Sequence, residues 1–231
     1  MKKIFLGITF ALLLTISLVG CGKKEEEKKE EEKAKIDYLV LVNKQTKLPD
    51  DWESIVELDE DIDAWGDKVL VEKQALKKYR ELKKALLNDE NLEKMGIEIE
   101  LDSIYRSVKE QQELWDTWSS DPTKGPEYVK KYVAVPGYSE HHTGLAIDIC
   151  LRKNGKIIAD NDDMIKEKKV FALIHEKLAD YGFILRYPEG KGSITGYAYE
   201  PWHFRYVGSS EVAKEITSKG LTFEEYLEQK K

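Results

Sequence analysis

The chain has 231 residues, 41% of them apolar, and a formal net charge of −7. A chain of this length can bury a sufficient core without disulfides, and its acidic balance argues against nucleic acid and against an electrostatic grip on anionic lipid. It has only two cysteines, Cys21 and Cys150.

Residues 1–20 read as an export signal. Lys2 and Lys3 give a positive start, and Ile4 to Val19 is an apolar run with small polar interruptions. That run is short for a membrane span, which wants about 20 apolar residues, and it ends in Leu18-Val19-Gly20-Cys21. Small residues before a cut site mark a cleaved secretory signal. A cysteine directly after them resembles the lipobox of bacterial lipoproteins, which implies that Cys21 becomes a lipidated N-terminus. The alternative is an uncleaved anchor with an incidental cysteine, and both place the body outside the cytoplasmic membrane. Cleavage would remove two lysines and leave the mature chain at −9. With Cys21 lipidated, Cys150 has no partner within the chain, and a buried apolar role is expected for it.

Residues 21–35 combine that cysteine with a Lys/Glu-rich stretch lacking any large apolar residue, which reads as a solvated tether. Its last fourteen residues reach roughly 45–50 Å when extended. The folded body is expected over 36–231. Residues 38–42 suggest a short strand or extended lead-in, and 48–51 a turn. Residues 52–66 suggest irregular strapping, with Trp52 and Trp65 packed on the surface. Val69, Leu70, Ala75, Leu76, Tyr79, Leu82, Ala85 and Leu86 recur at helical spacing and predict one amphipathic helix over 67–91.

Residues 97–101 alternate with period two and predict a strand. A helix over 108–118 follows, then a short helix after Pro126 and a central strand over 144–151. The spacing of Phe171, Ile174 and Leu178 predicts a helix over 166–181, stopped at Gly182. Further strands are expected at 183–186, 196–199 and 203–207, and two closing helices at 209–219 and 222–230. Strands and helices mix without regular βαβ alternation. The expectation is a single α+β domain with a central, mainly antiparallel sheet and helices packed around it.

The chemistry concentrates in Ser139-Glu140-His141-His142-Thr143-Gly144-Leu145-Ala146-Ile147-Asp148 and in Glu200-Pro201-Trp202-His203. Two imidazoles and a carboxylate suit one zinc ion and leave a position for water. Such an ion lowers the pKa of its water to about 7 and polarises a carbonyl, while a nearby carboxylate takes the water's proton. Pro201 disfavours a helical Glu200, so Glu200 and His203 are expected on a turn rather than on one helix.

The spaced residues Ser139, His141, Gly144, Ala146 and Asp148, with Glu200-Pro201-Trp202-His203, resemble the zinc D-alanyl-D-alanine carboxypeptidases of the VanY type and their LdcB-like L,D-carboxypeptidase relatives, peptidase family M15B. Tyr105-Arg106-Ser107 with Gln111, Arg186-Tyr187-Pro188 and Thr195-Gly196-Tyr197 are also similar, so the resemblance spans about 38–208. It implies a DD-peptidase/Hedgehog-like fold, His141, Asp148 and His203 as zinc ligands, and Glu200 as catalytic base. It implies Arg106 as the anchor for the peptide's terminal carboxylate, a role that suits a planar guanidinium. It further implies Gln111 and Ser139 as substrate hydrogen-bonding positions and Tyr187 as an aromatic lining the groove.

The expected activity is removal of the C-terminal D-alanine from peptidoglycan stem peptides, by a monomer tethered to the membrane through lipid. Whether the penultimate residue is D or L stays open. The rivals are a wall-binding lipoprotein that keeps the fold without catalysis, and a lipoprotein that binds free ligand. The first has no use for a base at Glu200, and the second predicts a larger, two-lobed chain. His142 is expected to point away from the site, His175 to pack or face solvent, Glu140 to be solvated or to lie behind the ligands, and Trp202 to lie beneath the site. For Arg106 the bland alternative is a surface salt bridge.

Overall fold

The computed structural model describes residues 35–123 and 125–231. The export signal, Cys21 and the tether up to residue 34 lie outside the described residues.

In chain order, helix α1 (Trp52–Ile55) leads into strands β1 (Leu58–Ile62) and β2 (Lys68–Glu72), which pair as a hairpin. Helices α2 (Lys73–Leu87) and α3 (Glu90–Lys94), strand β3 (Ile97–Leu101) and helices α4 (Val108–Ser120) and α5 (Gly125–Tyr132) follow. A 3-10 turn at Glu140–Thr143 precedes β4 (Ala146–Lys153) and β5 (Lys156–Ile158). Then come α6 (Asn161–Lys166), α7 (Lys168–Leu178), β6 (Phe183–Tyr187), α8 (Gly192–Thr195), β7 (Glu200–Tyr206), α9 (Ser210–Ser218) and α10 (Phe223–Glu228).

The main sheet runs β3-β4-β7-β6, with β5 added beside β4, and every pairing is antiparallel. This is the expected α+β architecture. Alternation along the strands gives the sheet two unlike faces. Ile97, Ile99 and Leu101 of β3, Ile147, Ile149 and Leu151 of β4, and Trp202, Phe204 and Tyr206 of β7 enter one core with Leu76, Leu82 and Leu86 of α2 and Phe171, Ile174 and Leu178 of α7. Each such side chain contributes about 1.5–3 kcal/mol when fully buried. The other face carries Asp148 on β4 with His203 and Arg205 on β7. All seven residues of β7 are buried, its charged ones included.

Several expectations are corrected. Of the two readings of 38–42, the strand does not form: a turn at 38–39 is followed by an irregular lead-in over 40–42. Trp52 is a core residue, 1% exposed, and its indole N–H donates to the Thr143 carbonyl (3.1 Å); Trp65 is exposed as expected. The strapping over 52–66 contains α1 and β1. Val69 and Leu70 match a helical period but belong to β2. The helix begins only at Lys73, where the Glu72 carboxylate accepts from the Ala75 amide (2.8 Å) and caps it. The predicted helix over 166–181 is α7, which starts after Glu167 (ψ 40°) and continues as a 3-10 turn over Ala179–Tyr181, while α6 before it is a separate helix that the sequence pattern does not signal. The predicted strand over 196–199 does not form: these residues make an irregular bend between the helical turn α8, which ends at Thr195, and β7.

Glu200 and His203 sit on β7 rather than on a turn. The β6–β7 ladder is irregular between Leu185 and Tyr187, opposite this stretch, and Pro201, which cannot donate to a ladder, lies there. Gly182 does stop the helical segment, at φ 80°. Among the described residues no helix is long and apolar enough to cross a membrane.

Candidate metal centre and active site

The site is built by pairing β4 with β7. In their register Asp148 lies directly opposite His203, so both side chains leave the same face of the sheet. His141 comes from the 3-10 turn that feeds β4. That turn ends at Gly144, whose φ of 69° favours glycine and where a Cβ would lie 2.8 Å from Leu58 Cδ2.

His141 Nε2 lies 3.3 Å from Asp148 Oδ2, and His203 Nδ1 lies 2.8 Å from Asp148 Oδ1. One potential ligand atom from each residue falls within 4.8 Å of the others. The second nitrogen of each ring is engaged elsewhere: His141 Nδ1 meets the Ile104 carbonyl (2.6 Å), and His203 Nε2 meets Glu140 Oε2 (3.3 Å). These contacts turn His141 Nε2 and His203 Nδ1 toward Asp148. Asp148 Oδ1 makes no hydrogen bond of acceptable geometry despite the short approach of His203 Nδ1. Two nitrogens and an anionic oxygen held close but poorly aligned for hydrogen bonding fit a shared cation, and this donor set suits zinc.

Burial would raise the Asp148 carboxyl, but the His141 and His203 rings beside it hold it well below the carboxylate range. Burial lowers His141. For His203 burial also works downward, yet Asp148 and Glu140 push it up to about 10. Glu200 Oε2 stands 3.8 Å from His203 Nδ1. Burial pushes its carboxyl up to about 8; His203 opposes this and Asp148 adds to it. A cation on the neighbouring donors would draw it down toward neutrality.

These residues border a cavity of about 140 Å³ that Arg106, Ser139 and Tyr187 also line. Arg106 sits immediately before α4. Ser107 caps that helix reciprocally with Glu110, which fixes where the chain turns. The guanidinium donates from Nη1 to Gln111 Oε1 (2.8 Å) and from Nη2 to Ser103 Oγ, so Arg106 is no surface salt bridge. Gln111 is fully buried, and its amide donates to the Ala134 carbonyl (2.7 Å). The structure thus places Gln111 behind Arg106 rather than on the cavity wall. The Tyr187 ring lies 4.7 Å from both the His203 and Tyr197 rings, centroid to centroid.

His142 points away as expected, with Nδ1 on the Arg106 carbonyl (2.6 Å) and Nε2 accepting from the Gly137 amide (3.0 Å). His175 packs against Phe171 and Phe204 and meets the Pro201 carbonyl at 2.8 Å. Glu140 is not solvated: its side chain is fully buried. Asp102, which the sequence pattern does not single out, lines the same cavity, its backbone amide donating to the Asp148 carbonyl (2.9 Å). Burial is the main reason its carboxyl rises to about 7, with Asp148 and Asp63 adding and Arg106 opposing. Its position four residues before Arg106 at the end of a predicted strand was the only available signal.

The VanY family model, described as D-alanyl-D-alanine carboxypeptidase, matches residues 68–209. The chain belongs to this family. Among its relatives, the putative carboxypeptidase YodJ of Bacillus subtilis is 37% identical over 84% of this chain and 68% of its own length. The bifunctional D-Ala-D-Ala dipeptidase and carboxypeptidase VanXYC of Enterococcus gallinarum is 46% identical over 53% of this chain, which spans 62% of that relative. VanYB, solved in complex with D-alanine-D-alanine, superposes with TM-score 0.65 at 32% identity, covering 84% of this chain and all but 1% of its own. A VanY D,D-pentapeptidase solved with Zn(II) gives 0.63 at 30% identity, covering 83% of this chain and 99% of its own. The LdcB L,D-carboxypeptidase gives 0.65 at 35%, covering 83% and 86%. Zinc is therefore the metal of this family's site.

Proposed function

We propose that the chain is a zinc-dependent carboxypeptidase that removes the C-terminal D-alanine from peptidoglycan stem peptides. The observation that carries this reading is the convergence of His141, Asp148 and His203 around one point, with Glu200 and Arg106 bordering the same cavity. His141 Nε2, the Asp148 carboxylate and His203 Nδ1 would hold the ion. When bound, it supplies Lewis-acid charge that acidifies water and polarises the scissile carbonyl.

The chain's own residues do the rest. Arg106, held by Gln111 and Ser103, pairs with the terminal carboxylate of the peptide. That pairing sets the scissile bond one residue back, toward Glu200. Glu200, buried and raised toward neutral pH, takes the proton of the attacking water at a carboxylate oxygen and returns it to the leaving amine. Ser139 and Tyr187 border the bound peptide, and Gln111 acts by orienting Arg106.

The same proposal places the domain outside the cytoplasmic membrane as a monomer, with Cys21 lipidated and residues 22–35 as spacer. Two relatives that differ at the penultimate centre, VanYB and LdcB, superpose equally well, so either a D- or an L-centre fits. The test is to incubate the purified, zinc-loaded protein with synthetic tetra- and pentapeptide stems and weigh the products. Loss of one alanine from either confirms the activity and assigns the configuration. Loss from neither, with metal bound, overturns it.

A further inference from the structure

Four charged side chains lie behind His203. Glu140, Arg186 and Arg205 are fully buried, and Glu224 is 15% exposed. Two acids and two arginines balance, as buried charges must. Glu140 Oε1 takes both guanidinium contacts, from Arg186 Nε (2.8 Å) and Arg205 Nη1 (2.7 Å). Its second oxygen faces His203 Nε2. The two remaining nitrogens of Arg186 both donate to Glu224 of α10, at 2.8 and 2.6 Å. Arg205 Nη2 donates to the Tyr38 and Val40 carbonyls, at 3.0 and 2.8 Å.

We infer that Glu140, held by Arg186 and Arg205, is the positioning residue for His203, and that Glu224 of the C-terminal helix extends this control to a part of the chain outside the matched stretch 68–209. The inference rests on the zinc site proposed above. A knot that only fastened the two chain ends would need no partner on the ring. Here the carboxylate oxygen left over by the arginines meets the ring nitrogen facing away from the site. A proton on Nε2 donating to Glu140 leaves the lone pair on Nδ1, the nitrogen beside Asp148. His141 is backed only by a neutral carbonyl, so the two imidazoles are unequal and His203 is the one under electrostatic control.

Glu140→Gln tests this with nearly unchanged shape. The arginines keep the amide oxygen as their acceptor, which turns the NH2 group toward His203 Nε2. Two donors then face each other, and the ring is driven to the tautomer with its proton on Nδ1. On the full chain, zinc affinity is read by chelator competition, and the protonated nitrogen of His203 by 15N chemical shifts of labelled histidine.

The expected result for Glu140→Gln is zinc binding weakened about 10–100-fold and an altered His203 nitrogen pattern, with native circular dichroism. Glu224→Gln is expected to weaken zinc in the same direction by a smaller factor. A folded Glu140→Gln with wild-type affinity and wild-type nitrogen shifts overturns the inference. Should Glu140→Gln fail to fold, Glu224→Gln decides, and wild-type affinity there overturns it. A wild-type chain that binds no zinc removes the metal reading itself, an outcome separable from the others.

Discussion

Asp148 and His203 are cross-strand partners whose side chains meet at 2.8 Å, and this pair anchors the candidate metal site to the sheet. Side chains alternate along a strand, so a one-residue slip of β7 against β4 would send His203 into the apolar core and bring Phe204 or Trp202 to the site. The apolar face thus fixes the register that the ligands need. Asp148→Asn should keep the register, because it changes no volume, yet remove the only anionic donor of the three. The expected outcome is a folded protein whose zinc content, measured by elemental analysis, falls from one equivalent to near zero. With the ion lost, turnover should drop at least ~100-fold, given that such an ion supplies several kcal/mol.

Glu200→Gln separates base from ligand. The side chain lies 3.8 Å from His203 and belongs to none of the three donor positions. The amide cannot accept the proton of water, so turnover on stem peptides should fall by about 10²–10⁴-fold, while zinc content stays at one equivalent. A variant with unchanged turnover would remove Glu200 from the chemistry.

The candidate site was legible because most of it is local. His141 and Asp148 lie seven positions apart on one turn and one strand, and Glu200 and His203 three apart on β7. For Glu140 the sequence leaves both a solvated place and one behind the ligands open, and the structure gives the second through contacts that are not local. The arginines that bury it are 46 and 65 positions away, and nothing near Glu140 in sequence announces them. The hairpin was missed because β1 is Leu-Asp-Glu-Asp-Ile, an acidic stretch that looks like loop, while Val69 and Leu70 also satisfy a helical period. Trp52 gave no sign that Thr143, 91 positions on, would accept its indole proton. Gln111 is expected from sequence to touch substrate, but its side-chain amide is taken up by the Ala134 carbonyl and the Arg106 guanidinium, which lie 23 and 5 positions away.

Gly144→Ala should destabilise the domain by about 1–3 kcal/mol. The position holds φ 69°, a conformation costly for any residue with a Cβ. The new methyl would also press on Leu58 Cδ2 at 2.8 Å and on the Glu72 amide at 3.2 Å. Since the Glu72 amide donates to the Gly144 carbonyl (2.9 Å), the shift would reach the cap of α2 and the turn carrying His141. A lower midpoint in urea at unchanged slope would measure the loss.

Cys150 should be inert in the native state. It is fully buried on β4, and burial, aided by Asp102 and Glu100, pushes its thiol up to about 12. Alkylation requires the thiolate. Iodoacetamide at pH 8 should leave the Cys150 peptide unmodified in the folded protein and modify it fully in denaturant, as read by peptide mass spectrometry.

Arg106→Ala should discriminate between substrates rather than abolish chemistry uniformly. The guanidinium lines the cavity with Ser103 and Gln111 fixing its orientation, and its partner in the proposed complex is the free C-terminal carboxylate. A charge-assisted bidentate contact is worth about 1.5–3 kcal/mol, so kcat/KM on free-acid peptides should fall about 10–150-fold. Peptides amidated at the C-terminus lack the carboxylate, so they should be poor substrates for the wild type and lose little further with the variant. Gln111→Ala should reproduce part of the free-acid loss, because it releases Nη1 of the same guanidinium without touching the peptide. Equal losses on both peptide types would mean that Arg106 acts on something other than the terminal carboxylate.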